Sequence, residues 1–244
     1  ISLLFNANKI YDRQVIEGVG NYLQASKVHW DVYLEEDFTA RLNLIDEWSG
    51  DGVIADFDSA EIREALSNSD KPVIGVGSSY FDEADYPPVP YVATDNYQVV
   101  KQAFDHLKGK GLERFAFYGV PVDASHLWAT EREKIYQYLT RSQGYEQFSY
   151  QGITTSPETW QYAINRLADW LHSLPKPIGI IAVTDSRARH ILQACELADI
   201  AVPDKVAVIG IDDDDIARHL SRVSLSSVTQ GAVEMGYRAA KLLH

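Results

Sequence analysis

Apolar residues along this chain gather in short β-branched runs, and between the runs they recur every third or fourth position. The alternation is nearly unbroken. It predicts strands over Ile1–Phe5, Trp30–Leu34, Gly52–Phe57, Pro72–Val76, Tyr91–Thr94, Arg114–Tyr118, Phe148–Gln151, Ile178–Val183, Val206–Ile211 and Ser226–Thr229. It predicts helices over Asp12–Leu23, Gln98–Leu107, Glu131–Leu139, Pro157–Leu174, Arg187–Ala198 and Val233–Leu243. Repeated strand–helix units imply parallel sheets covered on both faces, because a parallel crossover leaves the sheet and returns over it. So many strands exceed what one strongly twisted sheet holds comfortably, and the expectation is two stacked α/β halves. Gly109, Lys110 and Gly111 read as a flexible crossing between halves. A second crossing near Ser226–Gly231 would return the last helix to the first half. The expected subdomains are thus residues 1–110 plus 229–244, and residues 111–228.

Composition narrows the partners. The 244 residues carry 35 acidic against 22 basic side chains, a formal charge of −13. A nucleic-acid surface needs clustered Lys and Arg to replace counterions, so this segment is not expected to touch nucleic acid itself. The longest apolar runs are strand-sized, far short of the roughly 20 residues of a membrane helix, and no membrane partner is expected. The single cysteine, Cys195, can form neither an internal disulfide nor a thiolate cage; beside Ile191 and Leu192 it reads as a core side chain. Ile1 runs straight into an apolar strand with no initiator methionine, which reads as a trimmed N-terminus, so the lack of a leader carries no weight.

In parallel α/β sheets ligands bind beyond the carboxyl ends of the strands, so the polar residues directly after strands are the ones to weigh. They are Asn6, Asn8 and Lys9; Asp56 and Asp58; Ser78 and Ser79; Asp95 and Asn96; Thr184 and Asp185; and the run Asp212–Asp215. Each could equally cap the helix that follows. Taken together they favour a polar, uncharged or cationic ligand in a cleft. Four consecutive Asp lack the alternation and glycine of a calcium loop, so no metal is expected; one is read as facing the cleft while others cap the helix holding Ile216 and Leu220. The histidines are scattered, and phosphate loop, nucleophile elbow and dinucleotide fingerprint are all missing. No enzyme signature and no cofactor emerge. Tyr11 and Trp128, each near the start of a helix after a strand, either pack in the core or stack on the C–H face of a sugar ring.

The order of three features carries a resemblance: strand–Thr184–Asp185–helix, then VPDKVAVIGIDD, then Gln230 before a helix with Gly236. With DGVIADF, ATDN, HLKGKG and FAFYG in the first half, the entire chain resembles the effector-binding core of the lac-repressor family and its relatives, the periplasmic sugar-binding proteins. The resemblance implies a periplasmic-binding-protein-like (type I) fold of two Rossmann-like parallel-sheet subdomains with a ligand cleft between them. FNANK, YDRQV, YPPV, WATERE and RARHIL narrow it to regulators of pentose use, whose core is joined to a C-terminal helix-turn-helix domain of the arabinose-regulator type. The chain stops at His244, before such a domain and before the last strand expected of the core.

The resemblance implies D-xylose or a similar pentose as effector, a cytoplasmic homodimer, and DNA reached only through a domain outside this chain. It assigns Asp212 as acceptor of two sugar hydroxyls, Arg132 as the opposing grip on ring oxygen and hydroxyls, and Gln230 as a hinge contact. Asn96, Asp56, Asn8 and Tyr11 fall at further contact positions, and Trp128 is a candidate wall against hexoses. Thr184 stands where the family carries Asn, so the contact there is carried over to Asp185. The rival readings are a periplasmic sugar receptor feeding a transporter and an α/β enzyme acting on a sugar. Asp212→Asn and Arg132→Ala are expected to abolish binding and leave the fold intact.

Overall fold

Both faces of every central strand are covered, which is why the strand runs are almost continuously apolar rather than alternating. The computed structural model describes residues 1–34, 50–121 and 126–244. The chain divides into two units, Ile1–Asp95 with Gly231–His244, and Asn96–Gln230.

The first unit contains β1 (Ser2–Leu4), α1 (Ile10–Ser26), β2 (Tyr33–Leu34), β3 (Val53–Asp56), α2 (Ala60–Ala65), β4 (Val73–Ser78) and β5 (Tyr91–Thr94), and recovers α8 (Ala232–Leu243) from the end of the chain. Its strands pair in parallel in the order β2-β1-β3-β4-β5. The two-residue side-chain period sorts the core. Leu3, Phe5, Ile54, Ile74 and Val76 pack with Val15 and Val19 of α1 and Met235, Ala239 and Ala240 of α8. Leu4, Val53, Ala55 and Val73 point the other way, toward Ile62 of α2 and Leu66.

The second unit contains α3 (Asn96–Gly109), β6 (Phe115–Tyr118), α4 (Leu127–Ser142), β7 (Gln147–Tyr150), α5 (Trp160–Ser173), β8 (Ile178–Ala182), α6 (Asp185–Leu197), β9 (Val206–Ile211), α7 (Asp215–His219) and β10 (Ser226–Val228). Its sheet runs β10-β9-β8-β6-β7, again parallel. Phe115, Phe117, Ile181 and Ile211 face α3 and α4. Ala116, Tyr118, Ile180 and Ala182 face α5 and α6, where Cys195 lies buried as expected of a core thiol.

The first crossing differs from the expected one. The chain passes between units at Asp95–Asn96, so α3 belongs to the second unit and not, as residues 1–110 would have it, to the first. The reason is packing: Val99, Val100, Ala103, Phe104 and Leu107 of α3 bury against Phe115 and Phe117. The Gly109–Gly111 tract is instead the end of α3, where the Lys110 N–H bonds the His106 and Leu107 carbonyls and Gly111 adopts φ +83°. The return crossing lies at Gln230–Gly231.

Candidate functional site

Four of the residues singled out in the sequence form one connected set in the second unit. Arg132, on α4, is almost fully buried. Its Nε donates to Asn96 Oδ1 at 3.0 Å, one Nη donates to the Val183 carbonyl at 2.8 Å, and the other donates to Gln230 Oε1. Gln230 in turn donates its amide N–H to Asp212 Oδ1 at 2.5 Å. Trp128, one turn before Arg132, lies 4.9 Å from the guanidinium, a cation–π stack that fixes the arginine's plane. The first residue of α3, one on α4, one after β9 and one after β10 thus meet. A cation, an amide and a carboxylate face one another there. A sugar hydroxyl, which donates and accepts at once, can donate to Asp212 and accept from Arg132 or Gln230.

Asp212 is held in place by backbone strain. It takes φ +127° and Asp213 takes φ +57°, two successive non-glycine residues on the left-handed side of the map. Three bonds over-determine this turn: Asp212 N–H to the Val228 carbonyl at 3.0 Å, Asp213 N–H to Ser227 Oγ at 2.9 Å, and Asp214 N–H to Asp185 Oδ2 at 2.7 Å. Asp185 Oδ1 accepts from Ser227 Oγ at 2.7 Å. Both Asp185 oxygens therefore support the turn that aims Asp212. A Cβ at Gly210 would lie 2.0 Å from Asp185 Oδ1, so the glycine of VAVIGI leaves room for that carboxylate. Thr184 is the N-cap of α6, accepting from Arg187 N–H at 3.2 Å. Within the acidic run, Asp214 caps α7.

The other candidates lie in the first unit. Asp56, at the end of β3, is buried and accepts from Lys9 Nζ at 3.3 Å and from Asp58 N–H at 3.0 Å. Tyr11, half-buried on α1, directs its hydroxyl to the Gly77 carbonyl at 3.5 Å. Asn8 is exposed, its N–H on Asn6 Oδ1. Two further acids stand there: Asp58, weighed in the sequence as a strand-end residue, and Asp12, which was not. Asp12 is fully buried in the first turn of α1 and accepts from Asn6 N–H at 2.6 Å, which ties down the β1–α1 loop carrying Asn8 and Lys9. Asp58 accepts from Ser78 N–H, Ser78 Oγ and Tyr80 Oη. The sequence signal for Asp12 was an acid in the first turn of a helix, which is also what an acid that merely caps the helix end looks like.

Burial dominates the electrostatics of these acids. It pushes Asp212 up to about 7, with Arg132 pulling the other way. Burial and then the Asp56 carboxylate push Asp12 up to about 7, and the same two causes push Asp58 up to about 6. All three bind their protons more tightly when folded than the ordinary carboxyl near 3.8. Between about pH 4 and 7 these three acids hold more protons in the folded chain than in the unfolded one; buried His190, pushed down to about 4, opposes them as a single site, so on balance stability falls as pH rises through that window. The melting temperature should be higher at about pH 5.5 than at about pH 7.5, and Asp212→Asn should shrink the difference. A wild-type melting temperature that climbs across the same interval contradicts this assignment.

Comparison with known proteins places these elements in context. Residues 1–97 match the profile described as XylR N-terminal domain, and residues 104–244 match the one described as periplasmic binding protein-like domain. The chain is 61% identical over its full 244 residues to the xylose operon regulatory protein of Escherichia coli (strain K12), covering 62% of that protein. It is 49% identical over the same span to the protein of that name from Haemophilus influenzae, covering 63% of it. The solved structure of the xylose-binding transcription activator xylR superposes with TM-score 0.92 at 58% identity, over all of this chain and 62% of that one. The chain thus spans under two thirds of these relatives, all of which are named as regulators and none as an enzyme.

Proposed function

Because the chain belongs to the periplasmic-binding-protein-like family, we propose that it is the sugar-sensing part of a xylose-responsive transcriptional regulator, with D-xylose as its effector. The observation that carries the reading is the set formed by buried Asn96, Arg132 and Asp212 with half-buried Gln230, Trp128 being stacked on the arginine. Such a set suits a neutral polyol. Charged partners make the stronger hydrogen bonds to hydroxyls, and a sugar lacking the matching hydroxyl leaves a buried acceptor unpaired at a cost of about 1–3 kcal/mol. That cost is the source of stereochemical selectivity. The relatives at 61% and 49% identity, named for the xylose operon, supply the choice of pentose.

Lys9 and Asp56 of the first unit are the groups proposed to meet the remaining hydroxyls, with Tyr11 and Asn8 beside them. A sugar that needs both sets shifts the population toward the arrangement in which both reach it, by its differential affinity for that arrangement. The signal would pass to a DNA-binding domain outside the chain, in a cytoplasmic homodimer. Calorimetric titration with D-xylose and D-glucose tests the reading. D-xylose is expected to bind saturably and D-glucose at least about tenfold more weakly, a difference of about 1.4 kcal/mol. Equal affinities would remove Trp128 as a wall against the hexose CH2OH, and no binding of either sugar would remove the reading.

A further inference from the structure

One buried cation has no part in the sugar set. Arg187, in the first turn of α6, is 9% exposed, and among the described residues no carboxylate pairs with it. One Nη donates to Tyr118 Oη at 3.0 Å, and the guanidinium lies 5.4 Å from the Tyr118 ring centroid. A guanidinium carries five N–H donors, so among the described residues a neutral hydroxyl and a ring face leave most of its capacity and its charge unanswered. Its position compounds this, because a helix N-terminus is the positive end of the macrodipole and disfavours a cation. The same first turn carries Asp185, but its two oxygens are taken by the Asp214 N–H and Ser227 Oγ, so among the described residues no carboxylate answers the Arg187 guanidinium directly.

A second group registers that field. His190, one turn further along α6 and 7% exposed, has no hydrogen-bond partner at Nδ1 among the described residues, and its ring meets Trp160 edge-on at 5.0 Å. Burial first, then Arg187 and Arg189, push its pKa down to about 4, so it stands neutral with a lone pair or an N–H unused. Tyr118 and Tyr150 end β6 and β7, stack at 5.8 Å, and share Trp170 as a neighbour. That is the carboxyl edge at which α/β sheets receive ligands. Gly152, at φ +72°, brings its backbone so close that a Cβ there would lie 3.1 Å from an Arg187 Nη. The core on this side is that of α5 and α6, whereas Trp128 packs in the core of α3 and α4.

We propose that Arg187, Tyr118 and His190 form a binding site for a phosphate group, separate from the sugar set. The guanidinium supplies the fork and charge, and the Tyr118 hydroxyl and the His190 ring complete the donors. The occupant is free phosphate or a small phosphate monoester. A chain of net charge −13 repels anions in general, so saturable uptake reports a local site.

The test is titration with inorganic phosphate and with glycerol 3-phosphate at constant ionic strength, followed by calorimetry and by the Arg187 Nε–Hε resonance. Wild type is expected to saturate and to shift that resonance. Arg187→Met is expected to weaken binding at least about tenfold, and Tyr118→Phe, which keeps the ring, about threefold. Tighter binding of glycerol 3-phosphate identifies a phosphorylated metabolite as occupant; equal binding identifies phosphate itself. Absence of saturation by either probe up to ~50 mM would overturn the site. So would unchanged affinity in Arg187→Met with a native circular dichroism spectrum. If that variant does not fold, unchanged affinity in Tyr118→Phe together with an unmoved Arg187 resonance in wild type overturns the site equally.

Discussion

Arg132→Ala is expected to lower D-xylose affinity by at least about a hundredfold, because truncating one partner of a buried, hydrogen-bonded charge set costs about 2–5 kcal/mol. It should also cost stability. Arg132 serves Asn96, the Val183 carbonyl and Gln230 at once. Its removal leaves those acceptors dry and Asp212 without the cation that holds its pKa down. Breaking such a buried set typically destabilises by about 3–5 kcal/mol. The sequence-based expectation of an intact fold therefore holds only for the gentler Asp212→Asn, which is isosteric. Urea denaturation of the variant alongside calorimetry separates the two effects. Wild-type stability combined with lost binding would mean that the arginine serves the ligand alone; retained binding would remove it from the site.

Gly236→Ala is expected to destabilise the first unit by about 3 kcal/mol or more, at the upper end of overpacking costs. α1 and α8 cross through a reciprocal pair of glycines. A Cβ at Gly236 would lie 1.9 Å from the Val15 carbonyl oxygen, and a Cβ at Gly18 would lie 1.9 Å from the Val233 carbonyl oxygen. Backbone cannot yield as a flexible side chain does, so the helices must separate. Val15, Val19, Met235 and Ala239 would then lose the packing that attaches α8, the last helix of the chain, to a sheet formed by its first residues. Gly20, on the same helix as Gly18, meets nothing within 4 Å of a Cβ and is the internal control. Gly20→Ala should stabilise by about 0.5–1 kcal/mol through helix propensity alone. Equal effects of the Gly20 and Gly236 substitutions on the urea midpoint would contradict the close crossing.

Much of this architecture was legible because burial on both faces writes a strand as an apolar run. Tyr91–Thr94 and Val206–Ile211 were predicted with the ends they have. Helix starts were less legible. α1 and α3 begin two residues before the predicted starts, because Tyr11 and Tyr97 are only partly buried against the cores and Asn96 is a polar residue held by Arg132, so neither start carries the apolar signal of the core stripe. α2 is six residues long with one buried position, Ile62, too short to show a period at all. The Gly109–Gly111 tract misled because a helix C-terminus and a hinge use the same residue type for the same reason, freedom at positive φ.

The site was legible in part. The resemblance pointed to Asp212, Arg132, Gln230 and Asn96, the placing of an aromatic residue after a strand pointed to Trp128, and the fold connects these five. It could not show that Gln230 links the arginine to the aspartate, which depends on where β10 ends. Nor could it show that Asp185 spends both oxygens on the strained Asp212–Asp213 turn. Arg187 escaped notice because an arginine early in a helix ordinarily points to solvent, and only the packing of Tyr118 against it reveals otherwise.

The central claim is that Asp212 is the buried carboxylate that grips the sugar. Its most direct test is calorimetric titration of D-xylose into wild type, Asp212→Asn and Asp213→Asn in parallel. Asp213 lies next door, partly exposed and paired with Arg218 at 3.0 Å, and controls for charge and for the turn. The account predicts saturable one-site binding by wild type, near-equal binding by Asp213→Asn, and a loss of at least about tenfold in Asp212→Asn, corresponding to about 1.4 kcal/mol or more. Undiminished affinity in a folded Asp212→Asn variant would contradict it.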